Sequence, residues 1–255
     1  MIQVKKIQIP ELSTEKPRRL YVYLPKDYGK SDRRYPVVYM FDGHNVFYNR
    51  HATYGKSWGM REYLNKAKLP VILVAVACNP EGNRRIFEYS PWDFSALRPI
   101  GDVLGLGKVT MDWFTTVLKP EIDQKYRTLP DRAHTMIAGS SMGGLMSLYA
   151  VTEYNHVFSR AAALSPSLWV SPSKLKELIR SHPLKDPTRI YLSVGTCEPK
   201  TMHRAPSLFE TAKALSRMGA DVSANVIPGA THCEAAWEKR IPDFMKYLCD
   251  GSFQL

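Results

Sequence analysis

The chain has 255 residues, 44% of them hydrophobic, and a formal net charge of +11 at pH 7. This length and apolar content suffice for one sizeable core, and they predict a single domain over residues 1–255. Lys and Arg form no block longer than a pair, so the charge indicates a solvated basic surface and argues against a nucleic-acid site. A basic rim that attracts anionic substrates is compatible with the same distribution.

The amino-terminal sequence MIQVKKIQIPEL lacks the apolar core of a signal peptide. No apolar run approaches the roughly 18 residues that a membrane helix needs, so we expect a cytoplasmic protein with no membrane association. The four cysteines are widely spaced and form no CxxC pair, so we expect reduced thiols and neither a disulfide framework nor a zinc site.

The first half of the chain alternates strand patterns with one helical pattern. Residues 2–9 and 18–25 alternate apolar with polar residues, which predicts antiparallel strands with one wet face. Tyr35–Phe41 and Val71–Cys78 are nearly all apolar, as strands buried on both faces are. A helix over Ser57–Ala67, capped by its serine, would connect them as a crossover.

Residues 79–110 hold no period and are interrupted by prolines and glycines. A structureless segment of that length is usually functional, so we expect it to form a lid or a pocket wall. Beyond it, strands and helices are predicted to alternate as follows: a helix over Met111–Tyr126 divided at Pro120, strands over Arg160–Ser165, Arg189–Gly195 and Asp221–Ile227, and helices over Lys174–Ser181, Pro206–Met218 and Glu234–Cys249. The fold class is therefore α/β, with a mixed, mostly parallel sheet, antiparallel amino-terminal strands and helices on both faces.

The stretch HTMIAGSSMGGLMSLY, from His134 to Tyr149, joins a short apolar strand directly to a helix. In this context Gly139, Ser141 and Gly143 match GxSxG, the turn that holds a nucleophilic serine above the end of a sheet in α/β-hydrolases. The glycines are required because a Cβ beside the serine would strike the neighbouring strand or helix. The alternative is a glycine-rich loop that caps a helix with a serine.

In an α/β-hydrolase an acid and then a histidine follow the serine, each on a loop after a strand. Glu198 lies three residues beyond the strand ending at Gly195, and His232 lies just past the last strand. The imidazole would take the proton of Ser141 while the carboxylate orients the ring. Taken singly, a solvated glutamate and a surface histidine are the alternatives. The rival base is His203, and the weaker acids are Glu234 and Asp221.

An oxyanion needs two preorganised donors, one from the residue after the nucleophile and one from the loop after an early strand. The backbone N–H of Met142 meets the first requirement. The loop Asp42-Gly43-His44 meets the second, with His44 as the expected donor. An imidazole that merely lines the pocket is the alternative for His44.

The segments YPVVYMFDGHNVF, NRRIFEYSP, LKPEIDQKYRT, AGSSMGGLMSLY, ALSPSLW, YLSVGTCE and GATHCEAAW resemble the putative esterase family, which includes enterochelin esterases, esterase D, and feruloyl and acetyl-xylan esterases. The resemblance runs from about Arg18 to Leu248. It implies an α/β-hydrolase fold with Ser141 as nucleophile, His232 as base, Glu198 as acid, and Met142 and His44 as oxyanion donors. The additional amino-terminal domain of full enterochelin esterases has no counterpart in this sequence.

We expect further side chains to contact the substrate, namely Arg84, Arg85, Glu88 and Tyr89 in the lid, and Trp169 and Trp237 as aromatic walls. Aromatic walls suit a feruloyl or catecholate ring, and an arginine suits an anionic group. The alternative is that Glu88 and Arg85 form a structural ion pair and that both tryptophans belong to the core.

The sequence thus predicts a serine carboxylic-ester hydrolase that acts through an acyl-enzyme on a small-molecule ester, such as a feruloyl, acetyl or siderophore-type ester. An acyltransferase with the same triad and a non-catalytic binding protein on the same scaffold are the alternatives. No cofactor is expected. A metal site at His232, Cys233 and Glu234 is not indicated either, because adjacent residues of a helix point in different directions.

Overall fold

A computed structural model describes residues 1–13, 16–95, 100–199 and 201–249, without the side chains of Thr201 and His203. The described strands, numbered in chain order, are β1 Ile2–Ile7, β2 Arg18–Tyr23, β3 Val37–Met40, β4 Ile72–Val76, β5 Phe94–Ser95, β6 Asp102–Val103, β7 Thr135–Ser140, β8 Arg160–Leu164, β9 Arg189–Gly195 and β10 Asp221–Ile227. The α-helices are α1 Met60–Ala67, α2 Arg84–Glu88, α3 Gly107–Trp113, α4 Lys119–Lys125, α5 Met142–Glu153, α6 Pro172–Ser181, α7 Thr201–Arg217, α8 Glu234–Glu238 and α9 Ile241–Cys249.

One large sheet carries the fold, in the order β1-β2-β4-β3-β7-β8-β9-β10. The pairs β1/β2 and β2/β4 are antiparallel, and every later neighbour pair, from β4/β3 to β9/β10, is parallel. This arrangement confirms the predicted α/β fold with antiparallel amino-terminal strands. Because the strands β3, β4, β7, β8, β9 and β10 of this sheet are parallel, the loops that follow them meet at one edge of the sheet.

Both faces of the sheet are covered, as the continuous apolar strand patterns predicted. Tyr39 of β3 packs edge-on against Phe114 and Phe158 on one face, with ring centroids 6.3 and 6.1 Å apart. Its neighbour Met40 joins Phe244 in the buried cluster on the opposite face. Successive strand residues point to opposite faces, so one strand supplies both cores. No helix of the described ranges is both long and apolar enough to cross a membrane.

Helix α1 begins three residues later than the sequence predicts. The residue before it is Gly59, in the left-handed region at φ 67°, and no side chain caps the helix. The predicted cap, Ser57, instead donates its hydroxyl hydrogen to Asn49 Oδ1 at 2.9 Å, although its oxygen lies 3.4 Å from the Gly59 nitrogen. Propensity at a helix start was therefore overridden by a buried loop contact.

The described residues of the segment 79–110, which exclude 96–99, hold more regular structure than the sequence indicates. It contains α2, the short antiparallel pair β5/β6 and the start of α3. A Cβ on Gly107 would lie 2.7 Å from the backbone of Pro91, and a Cβ on Gly105 would lie 2.4 Å from the backbone of Trp92. These two glycines therefore permit close backbone packing.

Two helices that contain a proline differ from the predicted bounds. A turn of π-helix over Phe114–Leu118 separates α3 from α4, and Pro120 lies in the first turn of α4. Proline has no N–H for the carbonyl four residues before it, so a wider turn relieves the mismatch. Helix α7 begins at Thr201, before Pro206, which the sequence had marked as the start.

Candidate active site

The turn at Ser141 has the geometry that GxSxG requires. Ser141 lies between β7 and α5 with φ 57° and ψ −120°, a backbone conformation that residues other than glycine rarely adopt. A Cβ on Gly139 would lie 2.6 Å from the backbone of Gly143, and a Cβ on Gly143 would lie 3.0 Å from Phe41 Cβ. Glycine is therefore required at position 139, and position 143 leaves only a tight fit for a larger residue. The Ser141 side chain makes no capping hydrogen bond to the helix, which argues against a simple capping loop.

Ser167 holds the backbone and the hydroxyl of Ser141 from the loop after β8. Its N–H donates to the Ser141 carbonyl at 3.0 Å, and the two hydroxyl oxygens are 3.5 Å apart. Ser167 is itself buried. The strained backbone of Ser141 is thus held by the loop that follows the neighbouring strand β8.

Glu198 follows β9, and its side chain is only 1% exposed. Its Oε1 accepts hydrogen bonds from the Ser165 hydroxyl at 2.6 Å and from the Gly195 N–H at 2.7 Å, and its Oε2 lies 3.5 Å from Arg204 Nη1. Burial alone would raise the pKa of this carboxyl, but the hydrogen bonds from His232, Ser165 and Gly195 lower it below its usual value. Glu198 is therefore held as a carboxylate at neutral pH.

His232 follows β10, and its Nδ1 lies 2.8 Å from Glu198 Oε2. Trp237 packs edge-on against the imidazole with ring centroids 5.1 Å apart, and its indole Nε1–H donates to Ser165 Oγ at 2.9 Å. Ser165, at φ 47°, in turn donates to Glu198. A chain of contacts from the tryptophan to the carboxylate therefore fixes both the ring and the acid.

The expected oxyanion donors are placed at the same edge of the sheet. Met142 is the first residue of α5, where a backbone N–H has no acceptor inside the helix. His44 lies in the single 3₁₀ turn Gly43–Asn45 that follows β3. A Cβ on Gly43 would lie 2.6 Å from the backbone of Ala75 in β4, so the turn packs directly on the sheet.

An ion pair between Asp42 and Arg85 braces this turn. Arg85 Nε and Nη2 each donate to one oxygen of Asp42 at 2.7 Å, and the Asp42 N–H donates to Tyr89 Oη at 3.1 Å. Burial would raise the pKa of Asp42, but the guanidinium holds it below its usual value. Asp42 sits in the left-handed region at φ 55°, so the bidentate pair stabilises a strained residue.

The side chains of Asp42, His44 and Cys78 bring three potential metal-ligand atoms within 4.8 Å of one another. A cation fits this cluster poorly, because Arg85 already occupies both oxygens of Asp42. Burial also raises the pKa of the Cys78 thiol well above its usual value, which disfavours the thiolate that a metal would bind. The His44 Nε2 lies 3.0 Å from Thr53 Oγ1.

One cavity of about 580 Å³ joins these features. Ser141 and His232 both line it, together with Arg85, Trp237 and the exposed ring of Tyr54. Its remaining lining residues are Asp42, His44, Asn45, Thr53, Lys56, Cys78, Asn79, Pro80, Gly82, Ser140, Cys233, Glu234 and Ala235.

The structure does not support four of the six expected substrate contacts. Glu88 is buried in an ion pair with Arg18, and Tyr89 is buried under the Asp42 turn. Arg84 lines a different cavity, and Trp169 is half exposed against Phe94 and outside the lining of the cavity. The alternative, an ion pair between Glu88 and Arg85, is also wrong, because the two side chains of α2 have separate partners.

Arg85 and Trp237 do line the cavity, and the side chain of His203 lies outside the described part of the chain. Tyr54 and Lys56 of the cavity were not predicted from the sequence. Neither was the buried Ser165, which links Trp237 to Glu198 by hydrogen bonds. Ser165 had a recoverable signal, because it ends a predicted strand at the edge where Glu198 and His232 were expected.

A model of the family described as putative esterase matches residues 12–250 of the sequence. The chain belongs to this family. Its sequence is 28% identical over 183 residues to the uncharacterized protein YbbA of Bacillus subtilis (strain 168), a match that covers 71% of this chain and 69% of YbbA.

Two further similarities come from proteins with descriptive names. An endo-1,4-beta-xylanase/feruloyl esterase of Xylanibacter ruminicola is 25% identical over 237 residues, which is 89% of this chain but 28% of that protein. The solved structure of an IroE-like serine hydrolase from Shewanella oneidensis superposes with a TM-score of 0.77 at 23% identity and covers 96% of this chain and 79% of that one. The latter shows the shared fold, and family membership supports ester hydrolysis as the class of activity.

Proposed function

We propose that the protein is a serine carboxylic-ester hydrolase that works through an acyl-enzyme, with Ser141 as nucleophile, His232 as base and Glu198 as acid. The observation that carries this proposal is the Glu198–His232 contact of 2.8 Å at the edge of a cavity that Ser141 also lines. With Nδ1 engaged by the carboxylate, Nε2 is the imidazole nitrogen left for the serine hydroxyl.

In the acylation step, His232 takes the proton of the Ser141 hydroxyl as the oxygen attacks the ester carbonyl. The negative oxygen that develops accepts hydrogen bonds from the backbone N–H groups of Met142 and His44. The ionised Glu198 stabilises the imidazolium. His232 then gives its proton to the departing alcohol.

In the deacylation step, His232 activates a water molecule that attacks the acyl-enzyme, and the acid leaves as Ser141 recovers its proton. The segment 79–110 supplies one wall of the site through Asn79, Pro80, Gly82 and Arg85. The similarity to a feruloyl esterase of Xylanibacter ruminicola favours feruloyl esters as the first substrates to test, with siderophore-type esters beside them.

The test uses p-nitrophenyl acetate and a fluorophosphonate probe. We expect a burst of nitrophenolate at about one equivalent of enzyme and covalent labelling of Ser141. Ser141→Ala should lose the labelling and at least roughly 10³-fold in kcat, because the residual rate comes only from binding and the oxyanion donors. Ser173→Ala, on the exposed face of α6, is the control and should behave as wild type.

Labelling that persists unchanged in Ser141→Ala would contradict the proposed nucleophile. Product analysis in the presence of glycerol or a sugar separates hydrolysis from acyl transfer, since a transferase would form the new ester in place of free acid. A panel of acetyl, butyryl, feruloyl and triscatecholate lactone esters would then define the acyl group.

A further inference from the structure

Two catalytic elements of the proposed esterase lie on strands that do not touch. The turn that carries the His44 donor follows β3, whereas His232 follows β10, and β7, β8 and β9 separate these strands in the sheet. The distance between the oxyanion donor and the imidazole is therefore set by contacts above the sheet edge, and not by strand pairing.

A hydrogen bond between two residues that line the cavity joins these two elements. Asn45, the last residue of the turn after β3, donates from Nδ2 to Glu234 Oε1 at 3.1 Å. Glu234 is the first residue of α8, two positions after His232, and both residues line the same cavity as Ser141. The contact therefore joins the residue after His44 to the residue two positions after His232.

The Asn45 end of this contact is fixed by further hydrogen bonds. The Asn45 carbonyl accepts from the Trp58 N–H at 2.8 Å, and its side-chain Oδ1 accepts from the Thr53 N–H at 2.9 Å. The amide is thus held by its oxygen while its nitrogen reaches Glu234. Rotation of the Asn45 side chain would break two bonds, so the amide has little freedom to move.

Glu234 is buried at 6% exposure although its carboxyl belongs to the cavity wall. Burial raises its pKa, and Asp42 adds to the rise, whereas Arg85 and His232 oppose it. A carboxyl group placed at this energetic cost contributes either a geometric restraint or a charge. The hydrogen bond from Asn45 indicates the restraint.

We propose that Asn45 and Glu234 are positioning residues that hold the oxyanion turn and the base at a fixed separation across the cavity. This inference rests on the proposed ester hydrolysis. A displacement of about 1 Å between reacting groups can reduce a rate roughly 10²-fold. The bond should therefore affect kcat, which depends on the transition state, far more than KM.

The experiment is a double-mutant cycle with p-nitrophenyl acetate, using Asn45→Ala, Glu234→Ala and the double variant. Glu234→Gln keeps an oxygen that can accept the Asn45 hydrogen and removes only the charge. Glu238→Gln is the matched control, because Glu238 lies one turn further along α8, pairs with Lys56 and is outside the lining of the cavity. The melting temperature is measured for every variant.

We expect each alanine variant to lose roughly 10- to 100-fold in kcat with KM within about threefold of wild type. The double variant should lose no more than the worse single variant, because both remove the same contact. Glu234→Gln should retain most of the wild-type kcat, and Glu238→Gln should equal wild type.

Multiplying losses in the double variant, an unchanged kcat in Asn45→Ala, or a Glu234→Gln variant as slow as Glu234→Ala would each overturn the proposal. Should Glu234→Ala not fold, Asn45→Ala and Glu234→Gln decide the outcome by the same criteria. A wild-type protein without esterase activity or Ser141 labelling would instead refute the proposed function, so the two failures are distinguishable.

Discussion

Helix α2 carries one residue of each of two arginine–carboxylate pairs, and the two pairs differ in their surroundings. Glu88, at its last position, pairs with Arg18 of β2, and both side chains are 3% exposed. Arg85, one turn earlier, pairs with Asp42 after β3, and the side chains are 31% and 7% exposed. The first pair lies within the body of the fold, whereas the second opens onto the cavity that Ser141 lines.

The pKa values of the two carboxyl groups shift in opposite directions, although each arginine lowers the pKa of its partner. Burial raises the pKa of Glu88 despite the attraction of Arg18 and a hydrogen bond from the Asn79 N–H. Burial also acts on Asp42, but the two-pronged contact with Arg85 outweighs it and the pKa falls. The contact of Arg85 with both oxygens of Asp42 therefore offsets burial, whereas the contact of Arg18 with one oxygen of Glu88 does not. One pair fastens α2 to β2, and the other fastens α2 to the turn Gly43–Asn45 that follows β3.

Removing the buried arginine should have the largest effect on stability. Arg18→Met leaves Glu88 without its counter-charge and also removes a hydrogen bond to the Leu12 carbonyl. We expect a loss of about 3–5 kcal/mol in the free energy of unfolding, measured by urea denaturation. The remaining folded enzyme should keep kcat within about twofold, since neither residue lines the cavity with Ser141.

A paired replacement separates the charge from the packing. Arg18→Met combined with Glu88→Leu should recover a substantial part of the stability, because no unpaired charge remains. If Arg18→Met cost less than about 1 kcal/mol, the pair would belong with exposed salt bridges and the comparison would fail.

Breaking the second pair should mainly affect catalysis. Arg85→Met frees the strained Asp42 turn, so we expect kcat for p-nitrophenyl acetate to fall roughly 10²-fold, the range seen when one oxyanion donor is lost. Arg85→Lys keeps the charge but not the fork, and it should be intermediate. Arg84→Ala is the neighbouring control and should keep the wild-type kcat, because Arg84 is exposed and outside the cavity. An Arg85→Met enzyme with the wild-type kcat would show that the turn needs no brace.

The pH dependence of stability should distinguish the two carboxyl groups by sign and is the smallest effect. The lowered pKa of Asp42 contributes stability that is present above pH 3.8, its ordinary value, and is lost as the pH falls through the folded value. The raised pKa of Glu88 acts oppositely, so stability falls as the pH rises from 4.5 to the folded value. Urea titrations of wild type, Asp42→Asn and Glu88→Gln should show each variant losing one of these slopes. Equal slopes in all three proteins would contradict the assigned directions.

The order of the elements and the position of the serine were accessible from the sequence for a clear reason. Strand and helix periods depend on local burial, and the loops after parallel strands must meet at one edge, so Glu198 and His232 were expected near each other. Their contact of 2.8 Å agrees with that expectation. Gly139 of the serine turn could be predicted from the motif because a side chain there would strike the backbone of Gly143.

Side-chain partners between distant segments were not accessible in this way. Arg85 and Glu88 lie one helical turn apart, which suggested a pair, yet each reaches a partner more than 40 positions away in sequence. Tyr54 belongs to an irregular loop without any periodic signal, and only the three-dimensional course of that loop places its ring at the cavity. Trp169, which we expected to form an aromatic wall of the substrate site, packs on Phe94 instead.

The contact of Gly139 with the backbone of Gly143 has a consequence for how this enzyme could be re-engineered. Main chain against main chain leaves no room for compensating substitutions, so the centre of the sheet edge is closed to variation. The ring of Tyr54, at 81% exposure, has no such restriction and borders the same cavity. Libraries aimed at new acyl groups should therefore randomise the stretch from Thr53 to Lys56 and leave the serine turn untouched.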